Sequence, residues 1–528
     1  MREGSPIHYR ARARMALCCL LALTLTSCGP EDTSAGVAAG AASKVAPTSG
    51  TTASVPAQAT TVLASPDPAA LSVAASRLFL THARSVVLTT DDDPAQLARA
   101  ADLARARSAP LLLVGAQTAA EVARLSSTEV LTVGPAAQQW ATTTWAPEQL
   151  RILADDGTTP PPPQSAAVGA AEANAATTVL TTGTPGDVAA ATTATVAGAR
   201  VLTVPSAGPT PSRTLDPAGP EADPRADGDV VTALAEHSPA HVVAFGDAFG
   251  TPAVLGERVS GSTSGVQVPG GGQLPLSGRR MVALYGSPAT TRLGVLGEQT
   301  PAASVARARK LAEGYDGLDG VPAVPAFEII ATVASGSPGP DGDYSNESSV
   351  EDLLPWVEAA EAAGVYVVLD LQSGRSDFLS QARGYEQLLR RPGVGLALDP
   401  EWRLRPDQAP LQQVGSVDVA EVNEVGDWLA GLVRADHLPQ KVFLLHQFRT
   451  AMITGRDRLG GHDELVTVVQ ADGQGSQGAK LSTYAALTAS SVGVDAWGWK
   501  NFYDEDLPMA TPLQTVAVDP APSFVSYQ

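Results

Sequence analysis

Two series of short apolar segments, separated by helical stretches, restrict the folds that this chain of 528 residues can adopt. In the first half, the nearly continuous apolar segments Ser85–Thr90 and Pro110–Gly115 flank an Ala/Leu/Arg-rich stretch over residues 94–107. Apolar strands that are joined by helices indicate parallel sheets covered on both faces. The sequence therefore predicts an α/β protein.

The strand pattern of the first half occurs twice. We interpret residues 71–259 as two tandem, doubly wound (Rossmann-like) modules, over about 71–157 and 167–259. A Pro-rich loop over residues 158–166 joins them, and the Pro/Asp-rich segment 206–228 is an insertion in the second module. The predicted strands are 85–90, 110–115 and 128–134 in the first module, and 178–182, 200–205 and 241–246 in the second.

A Gly/Ser-rich linker over residues 260–279 separates this half from a different pattern. Over residues 280–528, apolar segments end in polar residues, and each segment is followed by a helix or a loop. An open doubly wound sheet is one interpretation, but a barrel collects the carboxyl ends of all its strands on one face. We therefore predict a TIM-like (β/α) barrel of seven or eight strands. The predicted strands are 281–286, 323–333, 365–372, 394–401, 442–448, 465–472 and 494–500.

Five carboxylates stand at or near the ends of these predicted barrel strands. They are Glu328 in the second strand, Asp370 in the third, Asp399 and Glu401 in the fourth, and Asp472 in the sixth. An unpaired charge inside an apolar strand is costly to bury, so a shared polar pocket explains the set better than chance. The alternative is that each carboxylate caps the following helix or pairs with an arginine.

The first 28 residues have the features of a secretory signal. Four arginines precede an apolar stretch from Met15 to Leu25, and small residues lead to Cys28. The run Leu25-Thr26-Ser27-Cys28 resembles the lipobox of bacterial lipoproteins, whose cleaved cysteine carries diacylglycerol. The resemblance implies a signal peptide over residues 1–27 and a lipid on Cys28 that anchors the protein to the outer face of the cell membrane. An ordinary signal peptide with a chance cysteine is the alternative.

The amino-acid composition predicts a tether after the signal and excludes nucleic acid as a partner. Residues 28–70 are mainly small and polar, which predicts a flexible tether within the wall layer. Removal of residues 1–27, which carry four arginines and one glutamate, changes the formal charge from −20 to −23. So acidic a chain is unsuited to nucleic acid, and no such partner is predicted. Because all three cysteines lie in the first 28 residues, no internal disulfide is expected.

The strand–helix–strand stretches 85–115 and 178–205 resemble the type 2 cell wall-binding repeat of Gram-positive surface proteins. Ser76-Arg77-Leu78-Phe79 stands where that family has its arginine-tyrosine opening. The resemblance implies that the N-terminal half contacts a cell-wall polysaccharide or peptidoglycan. A spacer domain without a ligand is the alternative.

The run Asp399-Pro400-Glu401 at the end of the fourth barrel strand resembles the Asp-x-Glu ending of chitinase-type barrels. The glutamate is the general acid in that family, so the resemblance implies this role for Glu401 and a second charge on Asp399 or Asp370. Gly395-Leu396-Ala397-Leu398 departs from the acidic signature that precedes the motif in the family. Three tryptophans are predicted to stack on sugar rings, namely Trp402, Trp497 and Trp499.

The other polar residues at the strand ends are predicted to bind the substrate. A metal site made of Asp370, Asp399, His446 and Asp472 is a second hypothesis. The sequence has no His-x-His or His-Glu-x-x-His spacing and no phosphate-binding glycine motif, so neither a metal nor a cofactor is predicted. The predicted substrate-binding residues are Tyr285, Glu328, Trp402, His446, Gln447, Asp472, Trp497, Trp499 and Lys500.

From about Arg280 onward, the chain also resembles an uncharacterised family of lipoproteins from G+C-rich bacteria. The runs Tyr315–Gly320, Leu398–Trp402 and Gly498–Asp506 carry this resemblance. The family brings no established activity with it. The sequence therefore predicts an extracytoplasmic lipoprotein whose barrel resembles glycoside hydrolases and acts on cell-envelope glycans. A barrel that binds glycans or proteins without catalysis is the alternative.

Overall fold

The computed structural model describes residues 50–157, 170–205 and 222–528. The predicted signal peptide, Cys28 and the first part of the predicted tether lie outside the described residues. The loop over residues 158–166 and most of the predicted insertion over residues 206–228 lie outside them too. Within the described ranges, no helix combines the length and the apolar character that crossing a membrane requires.

Two four-stranded parallel sheets make up the first half of the described chain, as the repeated pattern predicts. The strands are β1 (Thr51–Ala53), β2 (Thr60–Leu63), β3 (Leu80–Ala83), β4 (Ser85–Thr89), β5 (Leu111–Leu113), β6 (Glu129–Thr132), β7 (Arg151–Ala154), β8 (Thr177–Thr181), β9 (Arg200–Thr203) and β10 (His241–Phe245). The helices are α1 (Pro68–Phe79), α2 (Pro94–Arg107), α3 (Thr118–Arg124), α4 (Pro135–Thr144), α5 (Ala170–Ala173), α6 (Val188–Val196), α7 (Gly228–His237) and α8 (Pro252–Ser262). The sheet orders are β5-β4-β6-β7 and β2-β10-β8-β9, and β1 pairs with β3.

Helix α1 joins the two sheets. Asp67 caps it by accepting a hydrogen bond from the backbone N–H of Ala69, and Pro68 occupies its first turn, where a proline costs no hydrogen bond. Phe79 near its end belongs to one apolar cluster together with Val86 of the first sheet and Val243 of the second. The two predicted modules therefore share part of their core.

The start of the fold differs from the prediction. Residues 50–70 were expected to belong to the tether, but this segment contains β1, β2 and the start of α1. Strand β2 pairs in parallel with β10, with Val62 opposite Ala244. The four residues of β2 are half threonine and carry little apolar signal, so only the backbone pairing identifies them as a strand. The second sheet is thus completed by a strand that precedes the whole first module.

The second half is a closed barrel of eight parallel strands, accompanied by a few short strands outside it. The strands are β11 (Arg280–Gly286), β12 (Ala323–Ala334), β13 (Ser345–Glu347), β14 (Tyr366–Leu371), β15 (Val394–Leu398), β16 (Val417–Asp418), β17 (Lys441–Gln447), β18 (Ile453–Thr454), β19 (Leu465–Ala471), β20 (Ala496–Asn501) and β21 (Phe524–Tyr527). The helices are α9 (Pro301–Glu313), α10 (Val350–Ala362), α11 (Phe378–Gly384), α12 (Glu386–Leu389), α13 (Val419–Ala435), α14 (Gln477–Thr488) and α15 (Pro512–Val516).

The strand pairing confirms the predicted TIM-like barrel. The barrel order is β11-β12-β14-β15-β17-β19-β20-β21, and β21 pairs with β11 to close the ring. Strand β21, which has four residues, was not predicted from the sequence. It lies parallel to both neighbours, with Val525 opposite Val282 on one side and Trp499 on the other.

Side chains on the barrel strands alternate between the interior and the surrounding helices. Met281 and Ala283 of β11 belong to an interior cluster with Phe524, whereas Val282 and Leu284 pack in the outer layer together with residues of the helices. The interior cluster is built from residues near the amino ends of the strands. The polar interior residues are therefore confined to the carboxyl ends.

Residues 260–279 pack against the barrel and do not form the expected linker. Val268 and Leu276 are buried in the interior cluster with Met281. At Gly272, where φ is +68°, an added Cβ would lie 2.8 Å from the carbonyl oxygen of Arg225. Only glycine combines this backbone conformation with so close an approach. The segment therefore covers the amino end of the barrel, opposite the polar carboxyl end.

Candidate active site

A cavity of about 510 Å³ opens at the carboxyl ends of the barrel strands. This volume lies in the range of roughly 300–1,000 Å³ that is typical of small-molecule sites. Every barrel strand contributes to the lining, either directly or through residues just after its end. One lining residue from each strand, in barrel order, is Tyr285, Ile330, Gln372, Asp399, Phe448, Asp472, Lys500 and Gln528.

Beneath the cavity, His446 binds carboxylates through both of its ring nitrogens. Its Nε2 atom lies 2.8 Å from Oε1 of Glu328 and 3.7 Å from Oδ1 of Asp370. Its Nδ1 atom lies 2.9 Å from Oδ2 of Asp472. Burial alone would lower the pKa of His446, but Asp370, Asp472 and Glu328 raise it well above its ordinary value. His446 is therefore a buried imidazolium that offsets part of the acidic charge.

Lys500 is the second cation of this cluster. Its Nζ atom lies 3.1 Å from Oδ1 of Asp472 and 3.5 Å from the centre of the Tyr285 ring. Burial would lower the pKa of Lys500, but Asp472 and the other carboxylates raise it above its ordinary value. An ammonium over an aromatic face gains further electrostatic stabilisation. Lys500 therefore stays protonated and is unsuited to act as a neutral amine nucleophile.

Asp370 is held below the cavity by Tyr285. The Tyr285 hydroxyl donates a hydrogen bond to Oδ2 of Asp370 at 2.9 Å, and Nε2 of Gln372 donates to the Tyr285 oxygen at 3.4 Å. Burial raises the pKa of Asp370 to about 6, with Glu328 acting in the same direction and His446 opposing it. Asp370 is completely buried, so it acts on a ligand only through the groups above it.

The turn after β15 brings Asp399 and Glu401 to the cavity. Pro400–Trp402 forms a single 3-10 turn, in which Oδ1 of Asp399 accepts a hydrogen bond from the backbone N–H of Glu401 at 3.3 Å. Burial, followed by the charge of Glu401, raises the pKa of Asp399 well above its ordinary value. Asp399 thus caps the turn, as the alternative interpretation of these acids expected, and it also lines the cavity.

Glu401 and Asp472 line the same cavity but have opposite pKa shifts. Burial, followed by the charge of Asp472, raises the pKa of Glu401 to about 7. Burial would also raise the pKa of Asp472, but Lys500 and His446 lower it to about 2. Near pH 7, Glu401 is therefore protonated for about half of the time, whereas Asp472 stays ionised.

The five predicted acids converge on this end of the barrel. In the described part of the chain, none of them pairs with an arginine, and the ionic partners of Glu328, Asp370 and Asp472 are His446 and Lys500. Trp402 also lines the cavity, next to Glu401. The structure thus brings together Tyr285, Glu328, Asp370, Asp399, Glu401, Trp402, His446, Asp472 and Lys500.

Three predicted substrate-binding residues face away from the cavity. Trp497 and Trp499 are each 2% exposed and pack in the outer layer, where the Trp499 ring contacts Tyr484. Gln447 accepts a hydrogen bond from Arg456 at 2.9 Å. Successive side chains of a strand point to opposite faces of the sheet. Because the neighbouring residues His446, Gly498 and Lys500 face the interior, these three side chains face outward. The structure therefore places Trp497, Trp499 and Gln447 outside the lining of the cavity to which the sequence assigned them.

Several lining residues that follow the strands were not predicted from the sequence. Phe448 and Arg449 come directly after β17, Gln474 comes after β19, and Phe502 comes after β20. These residues follow strand ends. The same position in the sequence identified the acids, so it could have identified these residues too. Deeper in the barrel, Nε2 of Gln470 donates a hydrogen bond to Oγ of Ser526 at 2.5 Å.

The geometry does not favour the predicted alternative of a mixed nitrogen and oxygen metal site. Both ring nitrogens of His446 face carboxylate oxygens, so neither has a free lone pair for a metal. A different group of carboxylates has the spacing of cation ligands. Ligand oxygens of Asp341, Asp343 and Glu347 all lie within 4.8 Å of one another. These three residues line a separate cavity of about 310 Å³.

No protein-family model and no curated protein matches this chain. An HpcH/HpaI aldolase from Desulfitobacterium hafniense DCB-2 aligns at 13% identity, over 48% of this chain and 86% of that chain, with a TM-score of 0.25. Cwp6 from Clostridium difficile aligns at 12% identity, over 65% of this chain and 63% of that chain, with a TM-score of 0.27.

A third solved structure is a mutant endo-β-N-acetylglucosaminidase from Cordyceps militaris in complex with fucosyl-N-acetylglucosamine-Asn. It aligns at 11% identity, over 48% of this chain and 81% of that chain, with a TM-score of 0.22. Similarities at these TM-scores add nothing to the fold that the strand pairing establishes. The TIM-like barrel of this chain therefore rests on its own topology.

Proposed function

We propose that the barrel hydrolyses a glycosidic bond in a cell-envelope glycan, with Glu401 as the general acid. One observation carries the proposal. Glu401, with a pKa of about 7, and Asp472, with a pKa of about 2, line one cavity at the mouth of a TIM-like barrel. Glycoside hydrolysis needs two carboxyl groups in different protonation states. One protonates the leaving oxygen, while the second, ionised carboxylate stabilises the oxocarbenium-like centre.

We assign the second charge to Asp472, although the sequence favoured Asp399 or Asp370 for it. Burial and neighbouring charges raise the pKa of both Asp399 and Asp370, which disfavours their ionised forms. Asp472 keeps its charge because Lys500 and His446 both contact it. In this assignment Asp399 caps the turn that carries Glu401, and Asp370 positions Tyr285.

Trp402 is the aromatic side chain that we assign to the sugar. It lines the cavity beside Glu401, at the end of the strand that carries the proposed acid. A large apolar ring next to the acid suits the flat face of a pyranose and also lowers the local polarity. This replaces the three-tryptophan platform that the sequence predicted.

We further propose that lipid on Cys28 anchors the protein to the outer face of the cell membrane and that the two N-terminal modules contact the wall. The lipobox-like run ending at Cys28 supports the anchor. Two chains of a diacylglycerol suffice for stable anchoring. Metabolic labelling with an alkynyl fatty acid, compared between the wild type and Cys28→Ser, tests it, since only the wild type should carry the label.

Release of sugar from labelled envelope glycans tests the hydrolase proposal. The full-length protein is incubated with peptidoglycan and with wall polysaccharide, beside Glu401→Gln and Asp472→Asn. Glu424→Gln, which changes an exposed glutamate on α13, is the matched control. We expect Glu401→Gln to lower turnover by about 10²–10⁴-fold while binding persists. Binding without release by the wild type would contradict the proposal and favour a non-catalytic glycan-binding barrel.

A further inference from the structure

The cations around the cavity differ in whether they pair with carboxylates of the protein. Lys500 contacts Asp472, and His446 below it contacts Glu328 and Asp472, so both cations are committed to protein carboxylates. Arg449 also lines the cavity, on the loop that follows β17. Within the described residues, the Arg449 side chain forms no ion pair and no hydrogen bond.

Two other arginines near this end of the barrel, Arg403 and Arg456, have partners within the protein. Arg403 pairs with Glu421 at 2.9 Å, and Arg456 donates hydrogen bonds to Gln447 and to the backbone. The guanidinium of Arg449 instead lies 5.5 Å from the centre of the Phe448 ring, which also lines the cavity. An aromatic face holds a guanidinium in place and leaves its N–H groups available.

From this arrangement we infer that Arg449 binds a carboxylate on the glycan, so that the substrate is an acidic polysaccharide. The inference rests on the proposed glycan-binding function of the cavity and names its substrate class. A planar guanidinium binds a carboxylate through two parallel hydrogen bonds, which gives orientation as well as affinity. Arg449 is a single unpaired cation of the lining, so it can bind one carboxylate of the bound glycan.

A phosphate monoester, which is largely a dianion at neutral pH, is the less suitable ligand for Arg449. Asp472 is ionised in the same cavity and Glu401 is partly so, and both repel a dianion more strongly than a single carboxylate. The formal net charge of −20 does not oppose the inference. Exposed charges beyond about 8 Å are largely screened at physiological ionic strength, so the nearest groups decide which ligand is accepted.

Binding to a glycan with and without its carboxylates tests the inference. The probe is peptidoglycan glycan strands freed of their peptides, which carry a lactyl carboxylate on every second sugar, and the same strands after reduction of that carboxyl to an alcohol. Calorimetry uses the full-length Glu401→Gln protein, so that the strands are not cleaved. The same protein is measured with Arg449→Gln, with Arg449→Lys and, as a control, with Arg405→Gln, which changes an exposed arginine outside the lining.

We expect Arg449→Gln to weaken binding of the acidic strands by about 10–150-fold, the range that the loss of one hydrogen bond to a charged group produces. The same change should alter binding of the reduced strands less than about twofold, and Arg449→Lys should recover only part of the loss, because an ammonium cannot form the bidentate pair. Arg405→Gln should have no effect on either probe.

Three results would overturn the inference. They are equal affinity of the intact protein for acidic and reduced strands, an equal loss for both probes in Arg449→Gln, and tight binding of a phosphate-linked wall polymer in place of the carboxylated strands. The hydrolase proposal is judged separately. If the protein with Glu401 releases no sugar while the carboxylate preference persists, hydrolysis is refuted and the role of Arg449 stands.

Discussion

The Nδ1 atom of His446 lies 2.9 Å from Oδ2 of Asp472, in the buried layer directly beneath the cavity. The other ring nitrogen contacts Glu328 at 2.8 Å, so a single imidazolium connects a fully buried acid with one that lines the cavity. Together with Lys500, this contact keeps Asp472 ionised although the residue is largely buried. The difference in protonation between Asp472 and Glu401 therefore depends on a residue that is itself inaccessible to a substrate.

Removal of His446 should cost stability as well as activity. His446→Gln leaves Glu328 buried without its cation, and breaking a buried ion pair in this way costs about 3–5 kcal/mol of unfolding free energy. Urea unfolding measures this loss. His437→Asn is the control, because His437 is exposed and asparagine tolerates its φ of +51°. A loss below about 1 kcal/mol would show that Glu328 does not need the imidazolium.

The pH dependence of hydrolysis should follow the two cavity carboxyls. Glu401 must be protonated to act as the acid, so kcat/KM should fall as pH rises through about 7. Asp472 must be ionised, so the rate should fall only when pH drops toward about 2. Measurement of kcat/KM across acidic and alkaline pH checks both limits. A rate that continues to rise above neutral pH would contradict the role of Glu401.

The two kinds of tryptophan should respond differently to substitution. Trp402→Ala should weaken glycan binding by about 2–10-fold, which corresponds to an aromatic contact of about 0.5–1.5 kcal/mol, with little loss of stability. Trp499→Ala should leave a cavity in the outer layer and cost about 3–5 kcal/mol of unfolding free energy. Trp499→Phe should restore much of that stability. Calorimetric titration and urea unfolding on each variant separate the two effects, and weaker binding by a well-folded Trp499→Phe would contradict the assignment.

Lys441 at the amino end of the barrel should make stability depend on pH. Burial lowers the pKa of Lys441 from 10.5 to about 7, and its Nζ atom donates hydrogen bonds to the carbonyl oxygens of Arg391 and Val394. Between those two pH values the unfolded chain binds more protons than the folded one, so the free energy of unfolding should rise with pH. Lys441→Met should remove this rise, whereas Lys310→Met, at an exposed position on α9, should retain it. A rise that persists in Lys441→Met would assign the effect to other groups.

The fold class and the location of the site could be derived from the sequence by itself. Short, nearly continuous apolar segments followed by helices predicted the paired sheets and the barrel, because such strands are typical of parallel sheets covered on both faces. Carboxylates at the ends of those strands had to meet at one mouth once the barrel closed, which placed Asp399, Glu401 and Asp472 together. Two short strands, β2 and β21, were not identified, since the strands that they pair with lie far away in the sequence.

The tertiary structure decided which way each side chain points and which acid keeps its charge. His446 and Gln447, like Trp499 and Lys500, are neighbours on a strand, so only one of each pair can face the interior. Trp497 and Trp499 pack in the outer layer, and Gly498 between them takes the inner position, where an added Cβ would already lie 3.1 Å from Cβ of Gln470. Ionisation depends on the same packing. Asp472 stays charged and Glu401 binds a proton more readily, because only the folded barrel places two cations against Asp472 and buries Glu401 near that negative charge.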